Sequence, residues 1–406
     1  MSGWRTVLVY PVNGARKTLL VNRIGPVADC PGDPGCDMIE GMADIDFSLL
    51  DVPRSAPVDD PEAYLRAAIA WHFGEDTGCA FWLRTAETLN FNPLTDVNTF
   101  ADLRLFPNLL NELRNVAIEE LIPRGYGSPL PLPQIFESGG TTGAPKRTVQ
   151  LPDWIEQVIQ WQTEDFANGG FLQGRGFVCM MPSGPHGVGY FSRLVSERLG
   201  SVFHAIDLDP RWVKKIAARN AAAEVSAYVD HLIEQTVHIL ATQDVANLHT
   251  TPPLLEAIAR NEQVANLVND KVRFTLLSGA HVDVDTLDLL REIFPNTTIT
   301  MVFGSTMVLS QAMTRRTGDG EPFVFDPRTP YVVFSVVDPD TGIEVPYRQR
   351  GQVVMNHLSK GMFLPNNLER DSAIRLPGPE GQVGDSLSEV QPVAAFEGEP
   401  VIEGVY

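Results

Sequence analysis

Ser138-Gly139-Gly140-Thr141-Thr142-Gly143-Ala144-Pro145-Lys146 is the stretch from which the fold is read. It follows a short strand-like run, PQIFE (133–137), and precedes a helical pattern opening near Pro152. Its first six positions hold three glycines and three hydroxyl side chains. Glycine lets a backbone approach an anion closely and adopt positive φ. Successive N–H groups and hydroxyls can then surround phosphate oxygens, and Lys146 adds positive charge. A Walker-type loop ends in Gly-Lys-Ser/Thr, whereas this one ends in Pro145-Lys146-Arg147. A Gly/Thr-rich surface turn is the ordinary alternative for so short a segment. Nine ordered positions between a strand and a helix favour a phosphate-binding loop.

Outward from this loop the chain alternates. GFVCMM (176–181), SVFHAIDL (201–208), VRFTLLSG (272–279) and TITMVFG (298–304) read as strands. Between them DWIEQVIQWQTEDF (153–166), SRLVSERL (192–199), AEVSAYVDHLIEQTVHIL (223–240), PPLLEAIAR (252–260) and DTLDLLREIF (285–294) carry helical spacing. Such alternation predicts a mostly parallel sheet covered by helices. Near Gly318 the period switches: FVFDP (323–327), YVVFSVVD (331–338), TGIEVPY (341–347) and GQVVMNHL (351–358) are closely spaced strand candidates with turn residues between them, notably DPDTG (338–342). Upstream, PEAYLRAAIAWHF (61–73) opens a helix with Pro and Glu in its first turn, and ADLRLFPNLLNELRNVAIEEL (101–121) predicts one or two more. The expected organisation is an extended Pro/Gly/Asp-rich arm over 1–60, an α/β body over 61–317, and a smaller β-rich subdomain with a tail over 318–406.

Composition narrows the partners. The 406 residues are 44% hydrophobic and 20% charged, as in an ordinary globular protein. Lys plus Arg is 31 against 51 Asp plus Glu, a formal charge of −20. Phosphate-backbone binding rests on Lys and Arg, so nucleic acid is a poor partner, as is an anionic membrane surface. A bound anion must therefore be held locally. Four cysteines in this length make no disulfide framework: Cys79 and Cys179 read as core thiols, and Cys30 and Cys36 in CPGDPGC are weak signals for zinc. No run is long enough to span a membrane and the start shows no secretory signal, so cytoplasm is the expectation.

The loop also carries a family likeness. SGGTTGAPK resembles the signature loop of the adenylate-forming enzymes, which include acyl- and aryl-CoA ligases, peptide-synthetase adenylation domains and luciferase. From about residue 61 other motifs follow in the family's order. LNFNPLTDVNTFADLRLFP (89–107) resembles the lead-in segment of the phenylacetate-CoA ligase branch. MPSGPHGVGY (181–190) resembles the acyl-site motif, LLSGAHV (276–282) the turn flanking adenine and acyl group, and VFGSTM (302–307) the Tyr-Gly-x-Thr-Glu motif. GQVVMNHLSKGMFLPNNLERDSAIRL (351–376) resembles the strand and loop ending in Arg-Thr-Gly-Asp. Within that branch the chain resembles in particular the short adenylating proteins of phenazine antibiotic pathways, of the griseoluteate type.

The resemblance implies a layered parallel α/β body with a smaller β-rich subdomain. It implies ATP-dependent adenylation of an aromatic, phenazine-type carboxylic acid, with Lys146, Thr306 and His186 as catalytic candidates. Nucleotide contacts would come from Ser138, Gly139, Gly140, Thr141, Thr142, Gly143, Ser278, Gly279, Ala280, Phe303, Gly304, Ser305 and Asp371. ATP or AMP would be bound, with Mg²⁺. Met307, however, stands where the family has a metal-holding Glu, and a thioether does not ligate a hard cation, so no metal ligand is assigned. Asp385 falls near the family's hinge position and 21 residues follow it, too few for a domain of about 50. The expectation is therefore that the mobile C-terminal domain and its lysine are absent. A trans-acting reductase, acyl acceptor or carrier would then take the acyl group; a homodimer stays open. Two alternatives remain: a weakly catalytic AMP/aryl-acid binding protein, and a CoA ligase completed by a partner chain. His204, His231, His238 and His249 read as structural, and Trp154, Trp161 and Phe166 as packing residues. Tyr190 reads equally as pocket or packing.

Lys146→Ala and Thr142→Val are expected to weaken ATP binding without changing the thermal unfolding midpoint, because both lie on a loop and in no predicted core strand. Calorimetric titration with ATP alongside an unfolding scan checks both halves of that expectation.

Overall fold

Short buried strands flanked by amphipathic helices build the computed structural model, which describes residues 45–138, 145–308, 310–315, 320–396 and 399–400. Residues 139–144, the glycine-rich part of the signature loop, and the expected arm up to residue 44 lie outside it. Helix α1 (Pro61–Phe73) starts where expected: Asp60 caps it, accepting from Ala63 N–H, and proline occupies the first turn. It is apolar nearly all round, with Tyr64, Leu65, Ala68 and Phe73 buried, so it is a core helix.

The expected arm is corrected over its last part. Residues 45–60 pack on the body: Leu50 is 0% exposed, Phe47 meets the Trp71 ring edge-on at 5.3 Å, and Arg54 N–H donates to Gln157 Oε1. Pro and Gly content reads as an extended chain, but the apolar Phe47 and Leu50 among them find a groove. The helices expected within 101–121 are also corrected. After helix α2 (Ala80–Ala86) and a single α-helical turn at Pro93–Asp96, that stretch holds short 3₁₀ turns, Phe100–Leu105, Glu112–Arg114 and Ile118–Leu121. Pro107 removes a backbone donor in the middle of that stretch.

Strand β1 (Gln134–Glu137) pairs antiparallel with β2 (Arg147–Gln150), with Glu137 opposite Arg147. The signature loop thus joins two strands of a hairpin. Helix α3 (Pro152–Gly169) follows and buries Trp154 and Phe166. Then come β3 (Gly176–Cys179), α4 (Gly187–Arg198), β4 (Phe203–Ala205), α5 (Pro210–Ala217), α6 (Ala222–Thr242), β5 (Val245–Thr250), α7 (Pro252–Ala259), α8 (Glu262–Lys271), β6 (Phe274–Leu277), α9 (Val284–Ile293) and β7 (Thr298–Ser305). Strands β4-β3-β5-β6-β7 pair in parallel in that order. Strand β5, buried at every position, carries Asn247 and His249 among its apolar residues, which hid it from the sequence pattern.

The chain then reverses. β8 (Ser310–Arg315) pairs antiparallel with β7, and β9 (Val324–Phe325) with β8. β10 (Val332–Val337), β11 (Arg350–Leu358), β12 (Phe363–Pro377) and β13 (Asp385–Pro392) complete one ladder ordered β4-β3-β5-β6-β7-β8-β9-β13-β12-β11-β10. The sheet runs on across the expected boundary at 317/318. β8 before it pairs with β9 beyond it, and residues 45–406 form one unit. TGIEVPY, expected as a strand, makes only a single bridge, Glu344 to Val337, and β12 is a long strand over what reads as strand plus loop. Cys79 and Cys179 are buried free thiols, as expected. No described helix is long and apolar enough to cross a membrane.

Leu50→Ala is expected to cost about 2–5 kcal/mol, the range for emptying a buried leucine site. Urea unfolding measures it; an unchanged midpoint would put residues 45–60 back among dispensable segments.

Candidate functional site

In a parallel sheet the carboxyl ends of the strands point to one edge, and ligand sites of α/β proteins gather there. Four of the sequence-predicted segments arrive at that edge. β3 runs into the loop that carries His186, which caps α4 and is 8% exposed. β6 ends at Ser278, Gly279 and Ala280; Gly279 sits at φ +81°, a region where glycine carries no Cβ penalty. β7 ends in Phe303, Gly304, Ser305 and Thr306. Gly304 faces the returning strand so closely that a Cβ would lie 2.4 Å from Ser310 O. Thr306 is half-buried in the turn that follows.

The hairpin brings the fourth segment. Ser138 N–H donates to Lys146 O at 2.9 Å, and Lys146 N–H to Ser138 Oγ at 3.3 Å, so the two ends of the signature loop are pinned to each other. Of the loop between them, Gly139, Gly140, Thr141, Thr142 and Gly143 lie outside the described residues. Glu137 N–H donates to Pro185 O at 2.8 Å, which ties the hairpin to the His186 loop. Arg211 on α5 donates to Glu137 Oε2 at 2.6 Å, and Arg147 to Glu137 Oε1 at 3.1 Å. These contacts place a cationic group of side chains beside His186. Burial first, then Arg211, lowers the His186 pKa, while Asp209 and Glu137 act the other way. Burial lowers Lys214 to about 8, with Arg370 and Arg211 adding to the shift. In a chain of charge −20, these groups form a local cluster of positive side chains around Glu137.

Asp371 lies on β12, opposite Pro392 of β13. It is half-buried as a residue, yet its carboxyl is desolvated and pushed up to about 7, first by burial and second by Glu369, with Arg370 opposing. Glu369 is engaged locally, accepting from Asn367 Nδ2 at 2.6 Å. His281, just after the β6 turn, contacts Val390 O through Nδ1 at 2.6 Å and so fastens that turn to β13, the strand beside Asp371. Asp385, read as the hinge position, is buried at the start of β13. It accepts from Arg375 Nε at 2.8 Å and from Val336 N–H at 3.2 Å, and its pKa is raised to about 6, mainly by burial.

The residue at the family's metal position does not fit a metal. Met307 is 3% exposed and packed in the hydrophobic core, and a thioether is no ligand for Mg²⁺. Among the described residues no group of three or more His, Cys, Asp or Glu could hold a metal ion.

Several residues at this edge escaped the sequence reading. His249, expected to be structural only, is fully buried. It lies between Ser192 Oγ of α4 at 3.1 Å and Ser278 Oγ of the β6 turn at 2.8 Å. It joins the two segments, and burial lowers its pKa to about 3, so the ring is neutral. Arg211, Lys214 and Glu137 have no motif spacing, and only the fold collects them. Tyr190, read equally as pocket or packing, meets Phe136 at 5.3 Å, and Phe136 meets Phe191 at 5.8 Å; the fold alone brings Phe136 to them.

No protein-family model and no curated protein matches the sequence. Solved structures do match in fold. The chain is similar to 2-hydroxyisobutyryl-CoA ligase in the postadenylation state in complex with 2-HIB-AMP, with TM-score 0.58 and 15% identity over 87% of this chain and 72% of that one. It is similar to the same ligase with 2-HIB-AMP and CoA in the thioesterification state, with TM-score 0.56 and 14% identity over 85% and 69%. The open conformation of that ligase matches with TM-score 0.53 and 15% identity over 87% and 80%. Over most of its length the chain therefore shares the fold of this ligase, a parallel α/β layer continued by an antiparallel sheet.

Asp371 and Asp385 both have folded pKa values raised above the unfolded value, to about 7 and about 6. The folded state then holds more protons than the unfolded state between about pH 4 and 7, so stability falls as pH rises through that window. Asp371→Asn is expected to flatten this slope and to gain stability relative to wild type at pH 8. Urea unfolding at pH 5 and pH 8 reads both.

Proposed function

We propose that this protein activates a carboxylic acid with ATP as an acyl-adenylate and releases pyrophosphate. The observation that carries the reading is that the β3, β6 and β7 ends leave the sheet in one direction, with the base of the signature hairpin tied to the His186 loop beside half-buried cations. In this reading the loop 139–144, with Ser138 and Lys146, holds phosphates. Ser278, Gly279 and Ala280 flank adenine, Asp371 accepts from the ribose hydroxyls, and Phe303, Gly304, Ser305 and Thr306 border the α-phosphate. A carboxylate oxygen of the substrate attacks the α-phosphorus in line. The new O–P bond forms as the bond to the β,γ-pyrophosphate breaks, and pyrophosphate leaves with the electron pair. The chain contributes position and charge: backbone N–H groups, the Thr306 hydroxyl and Lys146 face the oxygens on which negative charge develops. Mg²⁺, where bound to ATP, would supply further neutralisation of phosphate charge; position 307 offers it no ligand.

The acid is proposed to be aromatic, of the phenazine type. Its support is the family likeness and the rings of Phe136, Tyr190 and Phe191 beside His186. The fold neighbours carry 2-HIB-AMP, which supports adenylation in general and leaves the acid class to the ring cluster. A separate reductase, amine, thiol or carrier would then take the acyl group. Met307 in the core favours a second reading, an AMP/aryl-acid binding protein with weak turnover. ATP–pyrophosphate exchange that depends on an added aryl acid selects the first reading; AMP binding with no exchange across a panel of aryl acids selects the second.

At pH 8, where Asp371 is mostly ionised, Asp371→Asn is expected to weaken AMP binding about tenfold and aryl-acid binding hardly at all, since a charge-assisted hydrogen bond is worth roughly 1.5–3 kcal/mol. Glu369→Gln should leave AMP affinity near wild type, because Glu369 is engaged with Asn367. AMP titrations of the two variants decide between the acids.

A further inference from the structure

The turn that ends the VFGSTM motif is held from behind by a buried chain of polar groups. Met307 and Val308 are buried in the core, and Thr306 before them is half-exposed. The carbonyl of Val308 accepts from Nδ1 of His357, which is fully buried on β11 and edge-on to the Trp154 ring at 4.6 Å. Nε2 of His357 lies 2.7 Å from Ser359 Oγ. The carbonyl of Ser359 in turn meets Nε2 of His72, on α1, at 2.7 Å. Ser359 is itself fixed in the tight turn between β11 and β12, its N–H donating to Met362 O at 2.9 Å.

The protons in this chain follow from elementary chemistry. A carbonyl only accepts, so the ring nitrogen beside it carries the hydrogen. His357 is therefore the Nδ1–H tautomer and takes the Ser359 hydroxyl hydrogen at Nε2. His72 is the Nε2–H tautomer. Burial lowers both rings, to about 3 for His357 and about 4 for His72, so both are neutral at pH 7. Nδ1 of His72 is buried without a partner among the described residues. Its ring lines an apolar cavity of about 30 Å³ with Trp82, Met362 and Phe363, room for a water molecule or two that can donate to it. His357 and Ser359, neighbours at the end of β11, and His72, far away on α1, are thus joined behind one backbone carbonyl.

We propose that His357, oriented by Ser359 and backed by His72, is a positioning residue that sets the 306–308 turn and so aims Thr306 at the nucleotide phosphate. The inference rests on the reading of that turn given above. His357→Phe keeps the ring and removes the donor to Val308. His357→Asn keeps a donor at the Nδ1 position. ATP affinity, measured by calorimetry, is expected to fall roughly tenfold in His357→Phe, the effect of a buried carbonyl left unpaired. It should return to within about twofold of wild type in His357→Asn, with aryl-acid affinity unchanged in both. A His357→Phe protein that is less stable but binds ATP like wild type would reduce the chain to a structural network and overturn the inference. Thr306→Val separates the two layers: if it leaves ATP affinity untouched, the nucleotide reading of the turn falls, and this inference with it. If it weakens binding while His357→Phe does not, only the inference falls. Should His357→Phe fail to fold, imidazole ¹⁵N spectra of the wild-type protein carry the test. The expected result is an Nδ1–H signal for His357 at pH 7 that shifts on adding ATP. An Nε2–H tautomer, or a signal indifferent to ATP, overturns it.

Discussion

Strand β7 is where the two halves of the molecule are joined, and the rest depends on its double pairing. Residues 298–301 pair in parallel with β6, and 302–305 pair antiparallel with β8. A strand hydrogen-bonded on both edges cannot shift by one residue without turning its side chains to the wrong face. This fixes the depth at which Gly304 and Thr306 emerge. Gly304 is needed because the hairpin closes so tightly there that a Cβ would strike the Ser310 carbonyl. The parallel half delivers strand ends to one edge, and the antiparallel half lays Asp371 and Val390 against it. The site is the seam between them.

Electrostatics makes sense only locally. A chain of charge −20 repels anions at long range, yet Arg211, Lys214 and Arg370 influence one another near His186. Arg211 is partly neutralised by Glu137, which also takes Arg147. Such an arrangement stores positive potential in a half-buried place, where water screens it weakly.

Much of the architecture was legible because period and turn chemistry act locally. α1, α3, α4 and α9, and strands β3, β6, β7, β10 and β11, stand where spacing put them. β5 was missed because a strand buried on both faces shows no alternation and its Asn247 and His249 look polar; both are satisfied by partners far along the chain. β2 and β8 were missed because four to six residues of mixed character carry no period. The short turns after α2 were over-read as helix because Leu and Phe recur at helical spacing even where Pro107 forbids continuation.

The sequence by itself determined which residue types could cradle phosphate, since only glycine and hydroxyl residues permit that backbone approach, and it determined the order in which they appear. It determined that any bound anion would have to be held by a few local charges in a chain of net charge −20. The tertiary structure alone decided that the segments carrying His186, Ser278 and Thr306 leave their strands in one direction, because parallel pairing points strand ends the same way, and that the antiparallel hairpin bearing Ser138 and Lys146 is tied to the His186 loop through Glu137 and Pro185. It alone decided that Asp371 is the desolvated acid and Glu369 the engaged one, that Met307 faces the core, and that His249, His357 and His72 join separate segments. A buried imidazole must find partners for its two nitrogens, and those partners are set by packing that no local pattern encodes.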